Sequence, residues 1–527
     1  MFFTSLSFLL YLVAGVLVYW LLPHKVRWWF LLAFSIVYYY SIGKKLIVFV
    51  ALAAGVTWAA GLALEKLLAG EKAALAKAKA DGADRAARSA VKAKWLVRRR
   101  LVIAGFVAIV LGMLLFFKFY NMFAQLMQAY FTLPLWKRAM PLGISFYTLM
   151  LVSYVMDVHT GRIKAEHNPF KVALFTIWFP QVIQGPIGRW GQLAPELFGE
   201  KKFDYDRFVL GWQRMLWGYF RKLVVADRFS ILVNTVFDNH TEYSGFVVLF
   251  ATFFYVVQLY CDFAGGIDIA LGAAELFGVK MAENFNLPFA SQSVSEFWRR
   301  WHITLGSFLR DHIFYPLTLS KPFAKLGKAL QKPFGRNIAK MLPGYLAMFI
   351  LWFCSGVWHG EGWHYVAYGM YHGTLIVMGM CAEQVSPKVY AKLGIAADSK
   401  SLALFRTLRT CVLVGIGEII FRAETTAAAM QMLRSAVTVW NPWVLFDGTL
   451  LTLGLDGADL TVGLLATIVV FAASSLSKRC ESPLREVIYR QELPIRWFIL
   501  LLGIAVVCIF GVYGPAYDAT PFVYYQF

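Results

Sequence analysis

The chain has 527 residues, 59% of them hydrophobic, 17% aromatic and 16% charged, with a formal net charge of +20. Soluble domains average about 45–50% apolar and about 25% charged residues, so an apolar excess along almost the whole length excludes a soluble domain and indicates an all-α polytopic membrane protein. The basic residues fall in short loops between apolar runs, which matches membrane orientation and not a nucleic-acid surface.

The first apolar run, 2–22, has no basic stretch before it and no small-residue cleavage site after it. It is expected to stay as the first helix and not to be removed as a leader. Further spans are expected over 28–42, 46–64, 101–120, 142–158, 208–226, 246–260, 344–358, 363–381, 404–421, 461–476 and 497–513, about twelve crossings in all. Three shorter or interrupted pieces, 172–187, 263–277 and 308–319, read as re-entrant or interfacial. Six cysteines (261, 354, 381, 411, 480 and 508) form no CxxC and lie mostly in apolar sequence, which gives no disulfide framework and no metal cluster.

Between residues 65 and 100, eleven basic residues stand against four acidic ones in an Ala-rich background. That pattern predicts an amphipathic cytosolic helix or hairpin facing anionic lipid. The 321–340 and 478–496 loops are also basic, whereas 424–459 is acidic on balance. Placing the basic loops inside puts both termini outside; Lys44 and Lys45 then fall in a short outer loop, a local conflict.

In Trp178-Phe-Pro-Gln-Val-Ile-Gln-Gly185-Pro186-Ile-Gly-Arg189, prolines and glycines break any helix and leave backbone groups that lipid cannot satisfy. The segment must be buried in protein or line a wet cavity; a simple kinked helix is the alternative. Asp262 and Asp268, set in apolar helical sequence, either orient an imidazole or pair with buried cations. In Ser295-Glu-Phe-Trp298-Arg299-Arg300-Trp-His302, Glu296 and Arg300 are spaced to pair on a helix, and Trp298 and His302 share another helix face. Arg299, Arg300 and Arg310 suit phosphate or carboxylate groups. An interfacial helix with aromatic anchors and snorkelling arginines explains the same residues.

His359, in Ser355-Gly-Val-Trp358-His-Gly360, closes an apolar span where an ionisable group is costly and usually functional. An imidazole titrates near neutrality and can take a proton from an attacking hydroxyl. Gly356 and Gly360 allow a substrate or another helix to approach closely. A metal site is disfavoured: His359 and His364 are five apart, about 140° around a helix, where a zinc helix needs four. No nucleophile elbow, phosphate loop or dinucleotide fingerprint is present. The ending Pro521-Phe-Val-Tyr524-Tyr-Gln-Phe527 is either an aromatic interface anchor or a tail that presents a tyrosine hydroxyl.

Together, Phe297-Trp-Arg-Arg-Trp-His302, Arg310-Asp311, Trp178-Phe-Pro-Gln with Gln184-Gly-Pro186, Tyr260-Cys-Asp-Phe263 and Ser355-Gly-Val-Trp-His-Gly360 resemble the membrane-bound O-acyltransferase family, in particular its bacterial alginate and polysaccharide O-acetylation branch. The resemblance implies helices around a central tunnel in one membrane domain, 1–527. Its parts would be N-terminal helices and a basic loop to 140, a catalytic core over 141–382, and C-terminal helices with an aromatic tail over 383–527. It implies catalytic roles for His359 and His302, and makes Tyr524 a transient acyl carrier. Trp298, Arg299, Arg300, Arg310, Asp311 and Trp358 would contact substrate, and Asp262, Asp268, Gly185 and Pro186 would support the site. Glu361 and Gly266 depart from the family pattern.

The implied activity moves an acyl group, acetyl in the first instance, from a cytosolic thioester such as acetyl-CoA to an exocytoplasmic hydroxyl. No bound cofactor is implied. An esterase-like partner of the SGNH type would complete transfer to an exported polysaccharide at the bacterial cytoplasmic membrane. D-alanyl transfer to teichoic acid from a carrier-protein thioester is the alternative within the class. A proton-coupled transporter is the alternative outside it, though no inverted repeat is visible.

Overall fold

A computed structural model describes residues 1–128, 130–131, 133–136, 140–396, 398–480, 482–513 and 522. Among them all regular elements are helices, apart from one isolated antiparallel bridge between Phe285 and Trp301. Six described helical stretches are long and apolar enough to cross a bilayer: His24–Ala80, Arg85–Met127, Phe246–Leu276, Gln331–His359, Gly457–Arg479 and Leu493–Phe510. Leu6–Leu21 and Ile144–His159 are shorter and apolar. The chain is an all-α, multi-pass membrane protein. The larger number of windows seen in sequence takes in helices with polar inner faces, such as Trp363–Lys392 and Lys400–Arg422, which bury His364, His372 and Glu418.

Two pieces that the sequence separates are one helix. The 246–260 and 263–277 windows join as Phe246–Leu276, because the polar step at Cys261 and Asp262 is accommodated inside the protein. Of this helix's most apolar window 72% is buried, against 6% for Leu493–Phe510. The first is thus a core element, while the second presents its surface outward.

Contacts divide the chain into two compact units, Met1–Gly211 with Ala273–Ala282 and Trp212–Gly272 with Glu283–Phe527. In the first, Ile47–Ala80 and Arg85–Met127 form a helical hairpin that carries the basic 65–100 stretch. It turns at Gly82, whose φ of +72° favours glycine, and Asp84 caps the second helix by accepting from the Ala87 amide. Arg99 bonds Glu71 at 2.9 Å across the hairpin.

The broken segment of this unit is buried at every residue from 178 to 188. Helix Pro169–Ile177 stops at Trp178, and a single turn, Phe179–Val182, comes next. Phe179 packs on Phe8, Phe34 and Tyr38 with ring centroids 5.2–6.4 Å apart. A Cβ at Gly185 would lie 2.4 Å from the Gln181 Cα, so the turn into Pro186 accepts only glycine.

The second unit contains two π-helical interruptions, Phe220–Ala226 and Arg310–Phe314. The first joins Tyr205–Tyr219 to Asp227–Asp238. The wider turn places Lys222 so that its Nζ lies 2.5 Å from Asp262 Oδ1 and 2.7 Å from Asp227 Oδ1. Asp268 bonds Arg214 at 3.0 Å and Arg221 at 2.8 Å. Asp262 therefore holds a buried cation, and Asp268 two part-buried ones.

Candidate active site

The side chains that make up the candidate site all belong to the second unit. The 284–286 and 300–303 segments run antiparallel around the Phe285–Trp301 bridge: the Asn286 amide donates to the Arg300 carbonyl and the Ile303 amide to that of Asn284, at 2.9 and 3.0 Å. Helix Val294–Arg300 ends there, and His302 takes a left-handed φ of +48° before Ile303–Leu309 begins. The helix face expected to carry Trp298 and His302 together therefore does not exist. The break turns His302 inward, where it is 2% exposed.

Asn284 fixes the proton of that imidazole. Its Oδ1 accepts from the Thr304 amide at 3.1 Å, from the Thr304 hydroxyl at 2.9 Å, and lies 3.2 Å from His302 Nδ1. A backbone amide only donates, so the Asn284 atom is the oxygen and His302 Nδ1 carries hydrogen. The basic lone pair of the neutral ring is then on Nε2. Burial pushes the His302 pKa down to about 3, which keeps the ring neutral at physiological pH. Phe263 packs edge-on against it, 4.8 Å between centroids.

Trp358 neighbours both histidines, its ring centroid 6.2 Å from His302 and 4.9 Å from His359. His359 is the last residue of Gln331–His359, and Gly360 continues in extended backbone. The His359 ring is 4% exposed, with Phe421 at 5.1 Å, Tyr368 at 6.0 Å and Tyr365 at 6.4 Å. A glycine seam seats its helix against Trp363–Lys392. A Cβ at Gly356 would meet the Tyr365 carbonyl at 2.5 Å, and one at Gly369 the Trp352 carbonyl at 2.3 Å. The close approach that Gly356 and Gly360 permit is thus occupied by a helix.

Three residues beyond the sequence reading complete the surroundings of His359. Tyr368 donates its hydroxyl to Glu418 Oε1 at 3.4 Å, and Glu418 is 2% exposed. His372, fully buried, accepts at Nδ1 from the Trp298 indole N–H at 3.2 Å. An indole only donates, so the neutral His372 ring carries its proton on Nε2, which faces the Gly417 backbone. His372 is a lone histidine in apolar helical sequence, which spacing alone does not join to His359. Glu418 carried no local signal, since an acid inside an apolar window reads equally as a helix-end residue.

The remaining expected residues are dispersed. Arg299 is exposed, Arg300 bonds Glu296 at 2.8 Å, and Arg310 bonds its neighbour Asp311 at 3.2 Å. Asp262 and Asp268 bond the cations already named, and Gly185 and Pro186 lie in the first unit. Glu361 is exposed. Tyr524 lies outside the described residues. Among the described residues no group of three His, Cys, Asp or Glu is arranged to hold a metal ion.

Comparison with known proteins bears on this arrangement. Residues 163–330, which include His302, match the model of the membrane-bound O-acyltransferase family. The chain is 33% identical over 331 residues to the probable alginate O-acetylase AlgI of Pseudomonas aeruginosa, covering 63% of this chain and 56% of that protein. It is 28% identical to the peptidoglycan O-acetyltransferase of Helicobacter pylori, covering 56% and 57% of the two chains. It is 29% identical to the teichoic acid D-alanyltransferase of Bacillus subtilis, covering 45% and 58%. The matched stretches thus span less than two thirds of each relative's length. The chain is similar, over residues 163–330, to the membrane-bound O-acyltransferase family.

Proposed function

We propose that the chain is a membrane O-acyltransferase that moves an acetyl group from a cytosolic thioester, acetyl-CoA, to a hydroxyl presented from the exocytoplasmic side, with His359 as general base. The supporting observation is a buried imidazole closing an apolar helix, with a second, neutral imidazole against the same indole. His359 takes the proton of the acceptor hydroxyl as its oxygen attacks the thioester carbonyl. The carbon–sulfur bond breaks, and the imidazolium returns its proton to the departing thiolate, leaving an ester and a free thiol. A thioester is activated enough for positioning and one base to carry the step.

A ring only 4% exposed favours a slender acceptor over a bulky glycan. This supports the tyrosine-relay reading, in which Tyr524 takes the acetyl group and an SGNH-type esterase-like partner passes it to an exported polysaccharide. Arg299, Arg300, Arg310, Asp311, Trp298 and Trp358 would receive the donor. In this scheme the basic loops face the cytosol, both termini face outward, and the membrane is the bacterial cytoplasmic one. D-alanyl transfer is the second reading, favoured by the similarity to teichoic acid D-alanyltransferases.

The test is His359→Ala in cells at normal protein abundance, with acetyl content of the exported glycan as readout. Loss of acetylation by about 10²–10⁴-fold is expected for removal of a general base; unchanged acetylation overturns the mechanism. Purified protein offered acetyl-CoA or a D-alanyl carrier thioester separates the two donors by which thiol is released.

A further inference from the structure

The first unit carries a groove of about 470 Å³, within the range of about 300–1,000 Å³ typical of small-molecule sites. It opens between the 163–171 stretch and helix Trp190–Phe198. Trp190 and Ala194 are buried and form its floor, with the half-buried Phe198 beside them. Lys164, exposed, and Lys171, half-buried, supply its cations, and Glu166 is the one carboxylate in the lining. Glu166 Oε1 accepts from the Asn168 amide at 2.9 Å, and Oε2 lies 4.0 Å from Lys171 Nζ. Lys164 has no carboxylate partner among the described residues. The groove therefore keeps one positive charge in excess over an aromatic, apolar floor.

A run of packed rings leads from this groove to the outer surface of the unit. Phe170 and Trp29, 51% and 42% exposed, have centroids 5.0 Å apart. Trp29 stacks on Trp28 at 4.2 Å, Trp28 meets Phe198 at 6.0 Å, and Phe198 meets Trp190 at 6.0 Å. Trp28 and Trp29 lie in the second turn of the apolar helix His24–Gly43. Tryptophan near the end of a membrane helix marks the lipid–water boundary. The Trp58 indole, on the same membrane-spanning stretch, donates to the His167 carbonyl at 3.0 Å and ties the 163–171 loop to it.

That combination selects a ligand. A phosphodiester carries one negative charge and accepts from ammonium donors. A choline or ethanolamine headgroup adds a cation, which Lys164 and Lys171 repel. Basic pockets beside membrane helices suit anionic lipid headgroups. We propose that this groove binds an anionic glycerophospholipid, its phosphodiester at Lys164 and Lys171 and its glycerol end over Trp190. The site does not depend on the acyl transfer proposed above.

The experiment titrates the purified full chain in detergent with phosphatidylglycerol, or with phosphatidylcholine of the same acyl chains. Native mass spectrometry reads the first bound lipid. Wild type should bind phosphatidylglycerol at least about 10-fold more tightly than phosphatidylcholine. Lys164→Gln combined with Lys171→Gln should weaken that binding about 10-fold or more. Lys332→Gln combined with Lys340→Gln, an equal loss of exposed charge elsewhere, should leave it unchanged. Gly191→Leu should fill the groove and exclude the lipid with both lysines in place, because a Cβ there meets only Ile163 Cγ2, at 3.7 Å. Equal affinity for the two lipids in wild type overturns the proposal, as does a Lys164 and Lys171 variant that binds like the control pair. Displacement of bound phosphatidylglycerol by an equimolar amount of glycerol phosphate would assign the groove to a free phosphate ester and overturn the lipid.

Discussion

The Tyr368 ring stands edge-on to the His359 ring, with 6.0 Å between centroids and 89° between planes. Its hydroxyl is tied to the buried Glu418 on the neighbouring helix. One aromatic residue therefore links a buried carboxyl to the orientation of the candidate base, and the link can be broken from either end.

Tyr368→Phe leaves the Glu418 carboxyl without this donor and should cost about 1–3 kcal/mol. Glu418→Leu alone should cost a similar amount by leaving the phenol unsatisfied. The double variant removes both polar groups together and should recover most of the loss, since paired removal is nearly neutral. Thermal unfolding of the four proteins in one detergent measures the cycle. Simple addition of the two single losses would show that the groups do not interact.

Gly369 and Gly379 lie on the same helix, Trp363–Lys392, in opposite circumstances. A Cβ at Gly369 would lie 2.3 Å from the Trp352 carbonyl, whereas one at Gly379 meets nothing within 4 Å. Gly369→Ala should destabilise by about 1–3 kcal/mol through overpacking and reduce the proposed acetyl transfer, because it displaces the helix that ends in His359. Gly379→Ala should stabilise by up to about 1 kcal/mol through helix propensity. Equal melting shifts for both would deny the seam its role.

Because burial lowers the His302 pKa to about 3, the folded ring stays neutral while the unfolded one gains a proton below about 6.5. The unfolded state then binds more protons, so stability is fully present above that pH and falls as pH drops through the window toward 3. Between pH 6.5 and 5.0 the loss from this one group is about 2 kcal/mol. Asn tolerates a left-handed φ, so His302→Asn should fold and show a smaller difference between melts at pH 7.5 and 5.0. An unchanged difference would mean that His302 is protonated in the fold.

Asn284→Ala removes the acceptor of the Thr304 amide and the atom that holds hydrogen on His302 Nδ1. A stability loss of about 1–3 kcal/mol is expected from the unsatisfied amide, with the proposed acetyl transfer reduced further than that loss explains. Asn284→Asp places a carboxylate beside the ring and should raise its proton affinity, so the stability loss from His302 that begins near about pH 6.5 ends at a higher pH and is smaller. Parallel pH melts of the two variants check both outcomes.

His359 was legible because its surroundings are local: an apolar run, flanking glycines and an adjoining indole all lie within a few residues. The membrane class and the basic hairpin were legible for the same reason, since both are properties of contiguous composition. Asp262 and Asp268 showed as carboxylates in apolar sequence, but Lys222, Arg214 and Arg221 meet them across some forty to fifty residues. The face shared by Trp298 and His302 failed for a different reason. Helical spacing presumes a continuous helix, and the bridge between Phe285 and Trp301 ends it two residues before His302. Glu418 and His372 were invisible as site members because single-sequence periodicity does not reveal which helix faces touch.

The π segment Phe220–Ala226 makes chain length, and not only residue identity, a requirement of this protein. Deleting a residue beside Lys222 would let an ordinary α-helix close the wider turn that aims the lysine at both carboxylates. Lys222 would then miss one or both of its carboxylates, leaving charge stranded in the interior. Insertions and deletions here should be far less tolerated than conservative replacements, an asymmetry that a systematic scan of single-codon changes would expose.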